Sequence, residues 1–362
     1  MKTEGTPMIN KYAKQSIETM MRHHKAEELP PKGRFHYHQG VFLSGVYKNY
    51  LLSGNEEYFN YIKTYVDAMM DEDGNIFDYN KGQMDDIQPG ILLFPLYEKT
   101  GDAKYKKALD RLINDMDNYP KTEEGGFFHK EWHPNEMWLD GLYMGGPILA
   151  EYGARFDRAD LFDEVAFQAL LMEKNTKDEK TGLLYHAYDY KRSIFWADKV
   201  TGHAPEFWGR SIGWVPVAVL DDLDFIPETH PKYNELCRMV KDLLTALAKF
   251  QSAEGRWYQV VDKGDRADNW LENSCSCLYV AAMCKAVRKG ILGKEYLENA
   301  KRGYEAVINS LKYDGEDLLV GEVCVGTGVG NYEYYVNRPV STNDLHGVGA
   351  FLIMCAEVAD MW

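Results

Sequence analysis

The segment GLYMGGPILA, Gly141–Ala150, has no face suited to water, and ILLFPLY, Ile91–Tyr97, shares this character. A helix that is apolar or small nearly all round is buried on every side. Six candidate helices of this kind begin near Tyr37, Asp85, Trp138, Trp208, Asn273 and Asn343. These segments decide the fold, because so many buried helices need other helices to cover them.

The covering helices are amphipathic and alternate with the buried ones. After Ser53, for example, Tyr58, Ile62 and Tyr65 recur with the spacing i, i+4, i+7, which places them on one face of a helix. Six amphipathic helices are predicted to start near Met8, Asn55, Asp102, Arg158, Pro231 and Lys294. Short acidic turns or hairpins recur between the helices, with glycines at Gly74, Gly125, Gly182, Gly255 and Gly315.

This alternation predicts an all-α, closed (α/α)6 barrel, in which an inner ring of six helices is wrapped by an outer ring of six. No linker-like or low-complexity stretch interrupts the series, so residues 1–362 are predicted to form a single domain. An open helical solenoid is the alternative architecture.

Charge and composition exclude several classes of protein. The 362 residues include 41 Lys and Arg against 56 Asp and Glu, a net charge of −15, which argues against nucleic-acid binding. No stretch is apolar for long enough to span a membrane, and Met1–Lys25 lacks an apolar run of signal-peptide length. We therefore predict a cytoplasmic monomer or homodimer without nucleic-acid or membrane partners, whose six cysteines are free thiols.

Polar and aromatic residues concentrate at the starts of the buried helices. In a closed ring all inner helices run parallel, so their N-terminal ends gather at one mouth. The residues predicted to meet there are Tyr37, His38, Gln39, Asp85, Asp86, His129, Lys130, Trp138, Asp140, His186, Trp208, Arg210, Asn273, Ser274, Asn343, Asp344 and His346. Carboxylates, imidazoles, an arginine and tryptophans in one pocket are typical of a cleft that processes sugars.

Several of these residues also have a purely structural interpretation. Asp85 is typical of a helix cap, His38 of a structural hydrogen bond and Trp138 of a core residue. Asp140 resists such an explanation, because it lies two residues inside an apolar helix without an ion-pair partner at i+3 or i+4. Arg210, set between Trp and Gly positions, predicts an anionic partner, either a protein carboxylate or a substrate.

Motifs for metal and cofactor chemistry are missing from the sequence. It contains no phosphate-binding glycine loop, no nucleophile elbow and no HExxH zinc spacing. The pair Asp85–Asp86 is similar to the acidic motif of terpenoid synthases, but the third Asp of that motif is absent from DDIQP. We therefore predict neither a metal nor a cofactor.

Five motifs together resemble a known family, the unsaturated rhamnogalacturonyl hydrolases of glycoside hydrolase family 105, which are related to the unsaturated glucuronyl hydrolases of family 88. They are YHQG (Tyr37–Gly40), DDIQPG (Asp85–Gly90), GGFFHK (Gly125–Lys130), MWLDGLYMGGP (Met137–Pro147) and GHAPEFWGRSIGW (Gly202–Trp214). The likeness runs in order from about Tyr37 to the C-terminus. The (α/α)6 barrel of the family agrees with the repeat pattern.

The resemblance implies removal of a 4,5-unsaturated uronic acid from the non-reducing end of oligosaccharides produced by lyases, including pectin (rhamnogalacturonan) fragments. In such enzymes the C4=C5 double bond is hydrated, and the anomeric carbon is not attacked directly. The implied substrate is a small anionic oligosaccharide. Rhamnose, galactose and glucosamine all remain open as the sugar that leaves.

The resemblance also implies roles for individual residues. Asp140 matches the acid/base, with a pKa that burial should raise, and Asp85 matches a second acidic residue that binds hydroxyls and tunes Asp140. The implied substrate-binding residues are Tyr37, His38, His129, Lys130, Trp138, His186, Trp208, Arg210 and Trp214. Either Arg210 or Lys130 would hold the substrate carboxylate, and either Tyr37 or His38 would point inward.

Three competing functions fit parts of the pattern. An inverting glycosidase would use Asp85 as base and Asp140 as acid on saturated substrates. A sugar epimerase would use two histidines, His186 with His129 or His346, and would leave Asp140 without a role. A helical-repeat binding protein would place its polar residues on a concave face and not at the mouths of helices.

Overall fold

The computed structural model describes residues 9–359 and 361–362. In that part of the chain we find thirteen α-helices: α1 (Lys11–His23), α2 (Tyr37–Ser53), α3 (Glu56–Ala68), α4 (Leu93–Thr100), α5 (Ala103–Asp117), α6 (Asp140–Arg155), α7 (Asp160–Thr176), α8 (Gly209–Asp222), α9 (Tyr233–Lys249), α10 (Asn273–Arg288), α11 (Leu297–Ser310), α12 (Tyr332–Val336) and α13 (Leu345–Glu357). The predicted start near Met8 lies outside the described residues, and the first helix begins at Lys11.

The inner ring consists of α2, α4 with the 3-10 turn before it, α6, α8, α10 and α13. Each of these elements packs on the next, and α13 packs back on α2, so the ring is closed. The outer helices α1, α3, α5, α7, α9 and α11 each pack on an inner neighbour. The predicted (α/α)6 barrel is therefore confirmed, and the open solenoid is excluded.

The outer helices begin where local chemistry favours a start. The side chains of Asn10, Asn55 and Asp102 each accept a hydrogen bond from the amide two residues further on. This satisfies one of the amides that a helix leaves unpaired at its N-terminus. In α3 the predicted stripe is buried, since Tyr58, Ile62 and Tyr65 are all at most 2% exposed.

Short antiparallel strand pairs support the loops near the N-terminal ends of the inner helices. The strands are β1 (Glu136–Trp138), β2 (Ala187–Asp189), β3 (Trp257–Tyr258), β4 (Leu271–Glu272), β5 (Lys312–Asp314), β6 (Asp317–Leu319), β7 (Val323–Cys324) and β8 (Val340–Ser341). They pair as β1–β2, β3–β4, β5–β6 and β7–β8. The β1–β2 pair sets Trp138 opposite Ala187, which brings the loops before α6 and α8 together.

The predicted glycine turns all adopt the left-handed backbone. At Gly74 φ is +74°, and a Cβ there would lie 2.7 Å from the backbone oxygen of Lys104. Gly255, with φ +95°, meets Arg302 in the same way. Only glycine tolerates both the conformation and the close approach, which explains why the turn residue recurs with the helical repeat.

Two helix starts differ from the prediction. The second inner element begins as 3-10 turns, Met84–Asp86 and Gln88–Leu92, and becomes α-helical only at Leu93. Pro89 contributes to this, because it has no amide to donate. Asp140 is the first residue of α6 and does not lie two residues inside it. The short helix α12 was not predicted.

The remaining predictions concern the thiols and the membrane. All six cysteines are free, as predicted. Among the described residues, no helix combines the length and the apolar character needed to cross a bilayer.

Candidate active site

A cavity of about 290 Å³ opens at the mouth formed by the N-terminal ends of the inner helices. Its lining contains ten of the eleven residues predicted to act in the site. The lining residues are His36, Tyr37, His38, Asp85, His129, Lys130, Trp138, Asp140, Met144, Trp208, Arg210, Trp214, Gly326, Thr327 and Gly328. Both Tyr37 and His38 border the cavity, so the choice between them does not arise.

His186 is the predicted residue that does not line the cavity. It is fully buried behind Asp140, with its Nε2 3.1 Å from Oδ2 of Asp140 and its Nδ1 2.6 Å from the hydroxyl of Tyr335. A carboxylate only accepts hydrogen bonds, so the proton belongs on Nε2 and the Tyr335 hydroxyl donates to Nδ1. Tyr335, His186 and Asp140 therefore form one hydrogen-bonded chain that ends at the cavity.

The pKa of Asp140 differs from the prediction. Burial acts to raise this pKa, as expected, but the hydrogen bond from His186 and the electrostatic influence of His186 and His129 outweigh burial. The pKa of Asp140 therefore lies below its ordinary value, and the prediction of a raised value is wrong. The sequence showed an apolar helix around the carboxyl group, but it could not show that the imidazole of His186 folds against it.

Asp85 sits in the 3-10 turn and is also buried. Its Oδ1 lies 3.4 Å from Nε2 of His129, and its Oδ2 lies 3.2 Å from Nζ of Lys130. Although burial opposes ionisation, these neighbours hold the pKa of Asp85 well below its usual range. The contacts identify Asp85 as an ion-paired carboxylate at the cavity wall, and its interpretation as a helix cap is wrong.

Three tryptophans form the aromatic wall of the cavity. Trp138 stacks on His129 with 4.4 Å between ring centroids, and its Nε1 donates to Glu136. Trp208 stacks on Tyr335 at 5.8 Å, and Trp214 stacks on Tyr143 at 4.5 Å. Because each ring is held by a partner, the wall is preorganised for contact with a flat or apolar sugar face.

Arg210 is almost fully buried and has protein partners. Its Nη1 lies 2.6 Å from the backbone oxygen of Cys324, and its Nη2 lies 2.8 Å from that of Val325. The carboxylate of Glu272 is 3.9 Å away. Glu272 is therefore the anionic partner that the sequence predicted for Arg210.

Sequence reasoning missed several residues of the site. Tyr335, His36 and the loop Gly326–Gly328 were not selected. The loop lies within VGTGVG, Val325–Gly330, whose density of glycines was a usable signal for a backbone that approaches a ligand closely. Tyr335 carried no such signal, because α12 brings it beside His186 only in the folded chain.

One group of side chains in the described residues has the composition of a metal site. Possible ligand atoms of His38, Asp344 and His346 lie within 4.8 Å of one another. However, Nε2 of His346 is 2.9 Å from the backbone oxygen of Cys324, and Nδ1 is 2.8 Å from Oδ1 of Asp344. The first contact is a hydrogen bond, and the second is a close contact between the ring nitrogen and the carboxylate. Together they place the ring between the loop and the carboxylate.

The chain matches the family described as Glycosyl Hydrolase Family 88 over residues 8–362. It is 29% identical over 326 residues to unsaturated rhamnogalacturonyl hydrolase YesR of Bacillus subtilis (strain 168), covering 88% of each chain.

Two solved structures have the same fold. A family 105 glycoside hydrolase of C. acetobutylicum ATCC 824 superposes with a TM-score of 0.92 at 35% identity, over 96% of this chain and 99% of that chain. An unsaturated glucuronyl hydrolase specific for heparin has a TM-score of 0.74 over 97% and 96% of the two chains, but at 15% identity it supports the fold alone. On its match along almost the whole length and its likeness to the family 105 enzyme, the chain belongs to Glycosyl Hydrolase Family 88, together with its family 105 relatives, and is a glycoside hydrolase.

Proposed function

We propose that the enzyme removes a 4,5-unsaturated uronic acid from the non-reducing end of an oligosaccharide by hydrating the C4=C5 double bond. The observation that carries this proposal is the difference between the contacts of the two carboxylates. Asp85 is ion-paired to Lys130 and contacts His129, whereas Asp140 contacts His186 and faces the cavity. Hydration needs one group that gives and takes a proton, whereas an inverting glycosidase needs two such groups.

The chemistry follows from the structure of the unsaturated sugar. The ring oxygen makes the alkene a vinyl ether, so transfer of a proton from Asp140 to C4 leaves an oxocarbenium-like centre at C5. Water adds at C5 and returns a proton to the Asp140 carboxylate. The product is a hemiketal at C5, which opens to a ketone at C5 and a hemiacetal at C1. The hemiacetal breaks down to an aldehyde and releases the remaining oligosaccharide. Asp140 ends the cycle protonated, as it began.

Asp140 has to be protonated at the start, although its pKa in the free enzyme is low. Substrate binding changes the surroundings of Asp140 in two ways: the substrate carboxylate brings a second negative charge, and the substrate displaces water from the cavity. Both effects raise the pKa of a neighbouring carboxyl group. We therefore expect the proton to be taken up as the substrate binds, with His186 keeping Asp140 in position.

The other cavity residues bind the sugar in this proposal. Trp138, Trp208 and Trp214 pack against the ring and exclude bulk water, while Tyr37, His38 and His129 contact its hydroxyls. Lys130, whose Nζ lies 5.5 Å from the centre of the Trp138 ring, supplies positive potential at the wall.

The substrate class follows from the relatives. Since YesR is named as an unsaturated rhamnogalacturonyl hydrolase, we propose a rhamnose-linked disaccharide from pectin as the first substrate to test. A cytoplasmic site of action and a monomeric or homodimeric state remain predictions.

Loss of the ultraviolet absorbance of the conjugated alkene tests the proposal directly. Lyase-generated disaccharides and their saturated counterparts are incubated with the wild type and with Asp140→Asn, and thermal unfolding of both proteins serves as the folding control. We expect the absorbance to decay only with the wild type. Release of sugar from the saturated substrates without decay would instead support the inverting glycosidase.

A further inference from the structure

The cations at the active site already have protein partners. Lys130 pairs with Asp85 at 3.2 Å, and the guanidinium of Arg210 donates to the backbone oxygens of Cys324 and Val325. A uronate substrate nevertheless brings a carboxylate into a protein with a net charge of −15. Its recognition requires hydrogen-bond donors that the protein has not already used.

The glycine-rich loop beside the cavity is held in an unusual way. Three successive backbone oxygens, those of Cys324, Val325 and Gly326, each accept a hydrogen bond from a basic side chain. Arg210 donates to the first two, and Nε2 of His346 also reaches the first, at 2.9 Å.

The third oxygen of this row belongs to Gly326. It accepts a hydrogen bond from Nη2 of Arg338, whose guanidinium also lies 5.2 Å from the ring of Tyr334. Basic side chains thus anchor three successive carbonyl groups of the loop.

Two consecutive amides of this loop have no partner among the described residues, namely those of Gly326 and Thr327. Their neighbours do have partners, since the Val325 amide donates to Pro339 and the Gly328 amide to the Tyr334 hydroxyl, both at 3.2 Å. Gly326 and Thr327 both line the cavity. Their amides therefore lie at the cavity wall without an acceptor from the described residues.

The anchored oxygens determine which way these amides face. In a trans peptide the C=O and N–H bonds point in opposite directions. The Gly326 amide therefore faces away from Arg210, and the Thr327 amide faces away from Arg338. A cation on the carbonyl side also polarises the peptide and makes its N–H a stronger donor.

We propose that the amides of Gly326 and Thr327 bind the carboxylate of the substrate, with Arg210 and Arg338 as positioning residues that act through the peptide groups. The inference rests on the proposed function and identifies how its substrate is recognised. The absence of a side chain at Gly326 fits this role, because a Cβ there would lie 3.2 Å from the Tyr37 hydroxyl, at the cavity wall.

The test compares an unsaturated uronate substrate with its C6 methyl ester, which lacks the negative charge. In Arg338→Met the Gly326 oxygen loses its donor, so we expect KM for the free acid to rise about tenfold, the effect of one weakened charge-assisted hydrogen bond, while kcat changes less than twofold. For the ester we expect KM to stay within twofold of wild type.

Arg266→Met is the matched control. Arg266 also lies over a tyrosine ring, 3.9 Å from the centre of that of Tyr332, and pairs with Asp268. The control therefore removes the same charge and the same kind of ring contact, but it leaves the loop oxygens untouched. We expect it to leave KM unchanged for both substrates.

A second variant addresses the amide directly. Thr327→Pro deletes the N–H, whereas Thr327→Ala keeps it, so the proline variant should lose much more affinity for the free acid than the alanine variant. Equal KM changes for acid and ester in Arg338→Met, or no change beyond that of Arg266→Met, would overturn the inference. Decay of the alkene absorbance with the wild type would still support the proposed function in that case.

Discussion

The barrel has a cavity at each mouth, and both cavities have a volume of about 290 Å³. They differ in how the charged side chains around them are paired. At the mouth where the inner helices end, Lys48 lies 3.2 Å from Glu357 and 3.5 Å from Asp221, and Glu151 lies 2.6 Å from Arg155. Within the described structure, three tryptophans line the N-terminal cavity and none lines the other.

The two mouths therefore show two uses of buried charge. At the C-terminal mouth each basic side chain faces carboxylates, so the desolvation of the cations is offset within the protein. At the N-terminal mouth Asp140 faces a buried imidazole, and the amides of Gly326 and Thr327 have no partner among the described residues, so part of the hydrogen-bonding capacity stays open for a ligand. Changes at the N-terminal mouth should affect catalysis, and changes at the C-terminal mouth should affect stability.

The sharpest contrast is between two carboxyl groups, one at each mouth. Asp140→Asn should lower kcat about 10³-fold, because general acid–base catalysis typically contributes 10²–10⁴. Glu151→Gln should leave kcat within twofold. Initial rates on an unsaturated disaccharide measure both effects, and comparable losses in the two variants would contradict the separation of roles.

Removing the partner of Asp140 should change the pH profile. In His186→Gln the hydrogen bond that lowers the pKa of Asp140 is weakened, so this pKa should rise. Because Asp140 must be protonated to act, the alkaline limb of kcat/KM should move to higher pH. Tyr335→Phe keeps the contact between His186 and Asp140, so it should shift the limb less. An unchanged profile in His186→Gln would show that Asp140 does not control this limb.

At the opposite mouth the expected effect is on stability. Lys48→Met leaves Asp221 and Glu357 without one of their cations, which should cost about 2 kcal/mol of unfolding free energy. Denaturant unfolding measures the loss, and kcat/KM should be unchanged. A loss of activity without a loss of stability would indicate that the mouths are coupled.

The smallest effect concerns the pH dependence of stability. Burial raises the pKa of Glu151 to about 7. A carboxyl group with a raised pKa in the folded state binds more protons there than in the unfolded state, so stability falls as pH rises from its ordinary pKa toward 7. Glu151→Gln should therefore stabilise the protein at pH 8 and change its stability little at pH 4. Melting curves at the two pH values decide this.

Much of the fold could be predicted from local patterns. Helices without a polar face, such as α6 and α8, have to be buried, and stripes such as that of α3 need one apolar neighbour. The glycine turns were visible because a left-handed backbone strongly favours glycine. The resemblance to family 105 and family 88 enzymes, and with it the class of an unsaturated uronyl hydrolase, is supported by the comparisons.

The sequence by itself determined the two rings of helices and the mouth at which polar residues gather, because these follow from periodicity and from helix direction. It also identified most of the side chains that line the cavity. Only the tertiary structure decided the electrostatics of that mouth. His186 lies 46 positions from Asp140 and reverses the effect of burial on its pKa. Arg210 lies 114 positions from Cys324, and its contact with the loop decides which donors stay free. Electrostatic interactions depend on the distances between groups in the folded chain, and these distances cannot be derived from the local sequence pattern.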